Sequence, residues 1–447
     1  MRKTKYWLLG LSGLLLFHSM LGQAADPEPK FTVSQLQEDF LTLRKLIEEN
    51  HPTLYRYHNK AFFRNHCNGI QALIDREMTE LEFIKILEPM VAKIHCGHTE
   101  LWYSQKFTDH VYADKPFIPF SVYYIRGQAY VRREYVPCGS LPEGSEIIAI
   151  NDEPVAAILK KLFSRMNGDG YNTQNILFTI NQSPVSVLAE YFDYAQSYKI
   201  KFVSPGESTP AERVLAGIKY KELTAIADQR YPDDSEEAKF SFKIMDKPNA
   251  AVMAIRSFAI GKEDDFAGFL KSSFQQVNSR NVQNLIVDVR GNDGGHPDHA
   301  IELLKYLMDG NFTYFATHVS RSEWNEPIKP HKDRYRGQTF VLIDGGELST
   351  TGHFISLLRY HRIGKFIGQE SGSTFTCNDN SLEFTLPNTR IRGKVARTTF
   401  ATAVEGMDRD RGIMPDHYVE PKIKDIIEGK DTILEYALEL ICRQAGQ

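Results

Sequence analysis

Cysteine is scarce. The chain has five in 447 residues, Cys67, Cys96, Cys138, Cys377 and Cys442. That is too few and too scattered for a disulfide framework, and the odd count leaves at least one unpaired within the chain. No two stand in a CxxC pair, which excludes a zinc ribbon and a thioredoxin motif. An excess of one charge is missing too: 53 basic residues face 57 acidic ones, for a net charge of −4. Such a balance lacks the electrostatic footprint of a nucleic-acid binder. Beyond residues 6–22, no apolar run approaches the ~20 residues that a membrane span requires. A phosphate loop is also absent, because no G-x-G-x-x-G and no Walker Lys-Ser/Thr pair occurs. What remains is a globular composition, with 42% apolar and 25% charged residues. At ~150 residues per domain, the length predicts roughly three domains.

The first segment reads as an address. Arg2, Lys3 and Lys5 precede an apolar run from Trp7 to Phe17, and Gly22-Gln23-Ala24 supplies a small-x-small pattern. That order is the order of a secretory signal peptide, assigned to residues 1–24. An uncleaved anchor would need a longer apolar core than Ser12, His18 and Ser19 allow. The mature protein is expected to start near Ala25 and to work outside the cytoplasm, in a bacterial periplasm, with no membrane span.

Residues 31–110 carry helical periodicity. Leu36, Phe40, Leu43 and Ile47 recur on one face, as do Phe83, Ile84, Leu87, Met90, Val91 and Ile94. Ser34 with Gln37, and Thr79 with Glu82, read as capping boxes. Residues 111–210 turn β-rich, with a long insertion at 167–197 and a boundary at Pro205-Gly206. Residues 211–249 read as a connecting segment with a strand at Phe240. From Ala250 to residue 445 strands and helices alternate, which implies βαβ crossovers and a largely parallel sheet.

Ligands of such sheets gather beyond the carboxyl ends of the strands. Two of these ends stand out. One is the glycine-rich turn Asp288-Val289-Arg290-Gly291-Asn292-Asp293-Gly294-Gly295. Its glycines allow close backbone approach, and the following helix start offers unpaired N–H groups that can hold an oxyanion. The other is Asp344-Gly345-Gly346-Glu347-Leu348-Ser349-Thr350-Thr351-Gly352. A serine at a helix start is ordinarily an N-cap. It can also be a nucleophile whose developing charge is favoured by the helix dipole. A nucleophilic serine needs a base. Lys365, Lys394 and His353 follow it in the chain, and His95-Cys96-Gly97-His98-Thr99 precedes it. That histidine pair matches no usual zinc spacing, so no metal is expected.

In combination and order, these segments resemble the serine peptidase family of tail-specific (carboxyl-terminal processing) and tricorn core proteases, in its tricorn-like branch. Residues 284–295 look like the family's strand and glycine turn. Ser349-Thr350-Thr351-Gly352-His353-Phe354 falls on its nucleophile motif, and Gly412-Ile413-Met414-Pro415-Asp416 matches a later landmark. The stretch 141–155 is similar to the PDZ-like module of these proteases. The resemblance implies an α/β fold: a crotonase-like catalytic domain at 250–445, an N-terminal helical domain at 31–110 and a PDZ-like β-rich domain at 111–210.

It also implies site residues. Ser349 is the nucleophile, and the N–H groups of Thr350, Gly294 and Gly295 form the oxyanion hole. The lysine of the tail-specific branch falls on Thr374 here, so the base implied is the histidine of the tricorn-like branch, His98, ahead of His95. Its acidic partner falls on Asp410, with Asp408 and Glu405 as neighbours. The family often has an acidic residue where Gly352 stands. No cofactor is implied. The expected activity is that of an exported serine endopeptidase acting on peptides or unfolded proteins, with a homo-oligomer allowed. The missing lysine and the changed Gly352 motivate the rival expectation of an inactive peptide- or ligand-binding protein on the same fold. An esterase using the same serine is a third.

Overall fold

A computed structural model describes residues 28–136, 139–232, 238–261, 263–316 and 321–445. The leader assigned to 1–24 and Cys138 lie outside the described residues. Among the described residues, no helix is long and apolar enough to cross a membrane.

The helical segment forms as its periodicity predicts. Val33–Asn50, Lys60–Ala72 and Glu80–Ala92 are helices. Leu36, Phe40, Leu43 and Ile47 are buried against Phe83, Ile84, Leu87 and Met90. Thr79 and Glu82 make the expected capping box. The first helix starts two residues earlier than Ser34 suggests. Thr32 is its cap, with Gln35 answering from the third position. The side chain of Gln37 is drawn instead to the Ile74 carbonyl, 3.2 Å away.

This helical layer does not close on itself. Its core takes in Leu386, Ile391 and Val395 from more than three hundred residues downstream of Leu36. The strand Glu100–Trp102 pairs antiparallel with Arg392–Val395, which in turn pairs with Leu382–Thr385. Buried Asp39 accepts the N–H groups of Asn388 and Thr389 and the Thr389 hydroxyl, fixing the turn of that hairpin.

The β-rich segment is a separate sheet. Its strands run in the order Ala211–Ala216, Ser197–Val203, Glu146–Ile150, Gln128–Glu134, Phe120–Ile125. The helix Val155–Arg165 packs Ile158, Leu159 and Leu162 into the core of that sheet. Pro205-Gly206 is therefore a hairpin turn between two paired strands, not the end of the unit.

The principal sheet has the order Phe240–Met245, Ala250–Ile255, Asn284–Asp288, Gln338–Ile343, Lys365–Gly368, His417–Tyr418. Only its first pair is antiparallel. It therefore begins with residue 240, ten residues before the alternation of strands and helices becomes obvious. Successive strand residues point to opposite faces. Ala251, Met253, Leu285, Val287, Val341 and Ile343 face the layer that contains Phe274, Leu304 and Phe354. Val252, Ile286, Phe340 and Leu342 face Ile433, Ala437 and Ile441 of the last helix. Burial on both faces explains why these strands read as continuous apolar runs.

Candidate active site

The two glycine-rich turns meet beyond the carboxyl ends of the parallel strands. Asp344 joins them: its Oδ1 accepts the N–H of Gly291 at 3.0 Å and that of Gly346 at 2.8 Å. Asn292 Oδ1 accepts the Gly294 N–H, while Asn292 Nδ2 donates to the Ile255 carbonyl. The Leu348 N–H donates to the Asn292 carbonyl. A Cβ on Gly294 would lie 2.8 Å from Ser349 Cβ and 3.1 Å from the Thr350 nitrogen, so only glycine lets the turns close.

Ser349 sits at the N-cap position of the helix Thr350–Tyr360, yet its side chain makes no capping hydrogen bond. Its backbone is at φ 53° and ψ −122°. A non-glycine residue held there stores about 1–3 kcal/mol of strain. The ordinary reading of a serine at a helix start thus fails for this one. The hydroxyl is held out from the turn instead of being used to satisfy the helix. Thr350 Oγ1 donates to the Gly295 carbonyl at 2.5 Å, locking helix start to glycine turn. The Gly294 N–H is taken by Asn292 Oδ1 and so is already partnered.

The histidine segment arrives from the far end of the chain. Gly97 lies against the nucleophile turn: a Cβ there would be 3.8 Å from Leu348 Cδ2. His98 is 9% exposed and follows directly. Its Nε2 lies 3.8 Å from Asp379 Oδ2, and its buried Nδ1 has no hydrogen-bond partner among the described residues. His95 is turned away into an aromatic cluster with Tyr57 and Tyr171, at ring separations of 5.2 and 5.3 Å. Burial lowers its pKa. His353 is buried, with Nε2 3.3 Å from Cys377 Sγ. Burial, with the charge of His98 adding to it, lowers its pKa to about 3, so its imidazole is neutral at any working pH.

Asp410 is placed differently from the expectation. Its carboxylate pairs with Arg56 at 3.1 Å, and its carbonyl accepts the Tyr171 N–H. Asp408 Oδ1 accepts the Asp410 N–H, and Glu405 is exposed. The carboxylate beside the His98 ring is that of Asp379, on the strand Thr376–Asp379. Neither lysine serves the serine. Lys365 is exposed at a strand start, and Lys394 pairs with Glu100 at 3.1 Å. Thr374 is buried and spends its hydroxyl on the Thr376 carbonyl. Gly352 has no room for a side chain, since a Cβ would sit 2.7 Å from Ser373 Cβ.

One part of the site comes from the segment read as an insertion. Asp169 accepts the Gly97 N–H at 2.7 Å and the Ser373 hydroxyl at 2.9 Å. Asn167 donates to the carbonyls of Cys96 and Thr99, and Asn172 to that of Ser371. Asn175 donates to Gly345. Residues 167–175 thus tie the histidine loop, the nucleophile turn and the loop after it into one frame. The only sequence signal for this was a cluster of short amides and glycines. Among the described residues, no group of three or more His, Cys, Asp or Glu side chains could hold a metal ion.

Comparisons with known proteins place similarity in the part of the chain that holds these turns. Residues 249–419 match the model of peptidase family S41. A tail-specific protease of Haemophilus influenzae is 29% identical over 175 residues, 38% of this chain and 24% of that protein. A probable CtpA-like serine protease of Staphylococcus haemolyticus is 26% identical over 129 residues, 28% of this chain and 25% of that protein. The match thus spans about a quarter of the length of these curated relatives. The structure of mature CPAF complexed with lactacystin is similar in fold, with a TM-score of 0.64 at 13% identity, covering 92% of this chain and 98% of that one. The matched residues 249–419 carry Ser349 and both glycine turns, and in that part the chain is similar to peptidase family S41.

Proposed function

We propose that the protein is a serine endopeptidase in which Ser349 is the nucleophile and His98 the general base. The observation that carries this reading is a strained, uncapped serine at a helix start together with a buried imidazole nitrogen that has no partner among the described residues. His98 Nδ1 takes the Ser349 proton as the oxygen attacks a peptide carbonyl. Asp379, facing Nε2, orients the ring and stabilises its charged form. The N–H groups of Thr350 and Gly295 hold the oxyanion. Loss of one such donor lowers the rate roughly 10²–10³-fold. The protonated ring then gives its proton to the leaving amine, and water releases the acyl group from Ser349.

In this reading residues 250–445, with the added strand Phe240–Met245, are the crotonase-like catalytic unit, and the sheet of residues 120–216 is the PDZ-like unit. Peptides or unfolded proteins are the substrates. The basic-then-apolar leader supports export to a periplasm.

The test is labelling with a fluorophosphonate, together with cleavage of an unfolded protein. Wild type should label and cleave. Ser349→Ala should do neither, and His98→Ala should lose both by orders of magnitude. Wild type that neither labels nor cleaves would sink the reading, and labelling unchanged in His98→Ala would remove His98 as base.

A further inference from the structure

We propose that Asn181 closes the outer edge of the strand Phe120–Ile125, so that the β-rich unit takes no peptide strand there and substrates are cleaved whatever their carboxyl terminus. The second half rests on the peptidase reading above; the closed edge does not.

An end strand of a sheet is a template for an extended peptide, which adds to it through main-chain hydrogen bonds. Among the described residues, the β-rich sheet ends in Ala211–Ala216 on one side and Phe120–Ile125 on the other. In an antiparallel pair, every second residue of an end strand turns both its N–H and its C=O away from the partner strand. Tyr124 is such a residue. Its N–H donates to Asn181 Oδ1 at 2.7 Å, and its carbonyl accepts from Asn181 Nδ2 at 3.1 Å. A neighbouring strand would offer the same pair, one acceptor and one donor. A primary amide carries both on one side chain. Asn181 thus stands where a docked peptide would present its backbone. It is 7% exposed and Tyr124 is 1% exposed, so the contact is shielded from water.

The cover is more than one side chain. Ile176 and Ile180 of the helix Gln174–Gln182, and Leu188 of the helix Pro184–Tyr191, share a core with Phe120, Val122 and Tyr124. A peptide could reach the edge only by lifting the first of these helices. That helix is also tied to the nucleophile turn. Asn175, its second residue, donates to the Gly345 carbonyl at 3.0 Å. Gly345 lies so close to the helix that a Cβ would stand 3.1 Å from Phe178 Cβ. The segment just before it carries Asp169, which accepts the Gly97 N–H, and Asn172, which donates to the Ser371 carbonyl. One nine-residue helix therefore plugs the sheet edge near its end and holds the turn near its start. These bonds all come from within the chain, so the frame needs no substrate terminus to assemble it.

The test is hydrogen exchange over residues 120–125, with cleavage of a mixed peptide library read alongside. The library is made once with free carboxyl termini and once amidated. In wild type, an excess of the free-acid library should leave exchange at 120–125 unchanged. Asn181→Ala should speed it roughly two- to tenfold, the factor that one modest hydrogen bond represents. Asn181→Asp keeps an acceptor for the Tyr124 N–H but sets a carboxylate against the Tyr124 carbonyl. It should exchange at a rate between those of wild type and Asn181→Ala. The two libraries should be cleaved at rates equal within about threefold, whereas a captured carboxylate is worth roughly tenfold or more. Exchange slowed in wild type by the free-acid library would overturn the proposal. So would unchanged exchange in Asn181→Ala, or a preference for the free acids beyond about threefold. If Asn181→Ala does not fold, Asn181→Asp takes its place in the same comparison. Wild type that cleaves neither library sinks the peptidase reading instead, and the exchange then still decides whether the edge is closed.

Discussion

Two groups of buried polar side chains flank the turn at residues 288–295, and they follow opposite rules. Behind it, Asp288 is fully buried and fully partnered. Its carboxylate accepts from Arg256 at 2.9 Å and from two nitrogens of Arg290 at 2.8 Å, and Arg290 continues to Asp431. Burial alone would raise the Asp288 pKa, but Arg256 and Arg290 outweigh it and hold the carboxyl well below the usual range. In front, His98 Nδ1, His353 Nδ1 and Thr351 Oγ1 are buried with no hydrogen-bond partner among the described residues. An unsatisfied buried polar atom costs roughly 1–3 kcal/mol. The rear group stabilises the turn, whereas the front group carries polar atoms that no described residue satisfies. Under the proposed function, the same few residues of backbone serve a rigid support and a reactive face.

The largest effect expected from this contrast is at Asp288. Asp288→Ala would leave the guanidinium groups of Arg256 and Arg290 buried around an empty site. Breaking a buried ion pair in this way destabilises by about 3–5 kcal/mol. Urea unfolding would show it as a lower midpoint with an unchanged slope. A loss under about 1 kcal/mol would mean that water reaches the arginines, and the rear group would no longer differ in kind from the front one.

A second, smaller effect separates the two groups by pH. The folded-state pKa of His353 is depressed to about 3, below an unfolded value near 6.5. At neutral pH both states are uncharged at this residue, and its contribution is fully present. As pH falls through the window from about 6.5 to about 3, the unfolded state takes a proton that the folded state refuses, and stability is lost. Between pH 7 and pH 5 the loss from this one group should be about 2 kcal/mol. His353→Gln should flatten that part of the curve. His51, whose pKa burial lowers to about 4, gives a slope of the same sign, so the difference between variant and wild type is the measured quantity. Equal slopes would mean that His353 is charged or hydrated in the fold.

The rear group is nearly legible in sequence and the front group is not. Asp288, Arg290 and the glycines form one contiguous turn after an apolar strand, and Ser349 announces itself at the start of a helix after another. Local pattern suffices for both, because a strand, a turn and a helix start are fixed by neighbours in the chain. Asp379 and Asp169 carry no such mark. Asp379 reaches His98 across 281 positions, on a strand only four residues long. Asp410 stood at the expected place in the chain, but Arg56, from the loop after the first helix, captures it. Residues 167–175 looked like an insertion because their partners are all distant: Cys96 and Gly97 upstream, Gly345, Ser371 and Ser373 downstream. Periodicity cannot report contacts of that span.

The smallest effect is the sharpest check on the front group. Thr351 is fully buried, the second residue of the helix that starts at Thr350, and its hydroxyl has no hydrogen-bond partner among the described residues. Thr351→Val keeps the shape and removes the polar atom. Since a buried hydroxyl without a partner carries a desolvation cost, its removal should leave stability unchanged or raise it by up to about 1 kcal/mol. The same change at a satisfied hydroxyl, such as Thr374 with its 2.6 Å bond to the Thr376 carbonyl, should destabilise by about 1 kcal/mol or more. Urea unfolding of the two variants side by side reads the sign of the difference. If Thr351→Val lost as much as Thr374→Val, the front hydroxyl would have a partner after all, most simply a bound water. The reactive face would then be as fully satisfied as the support behind it.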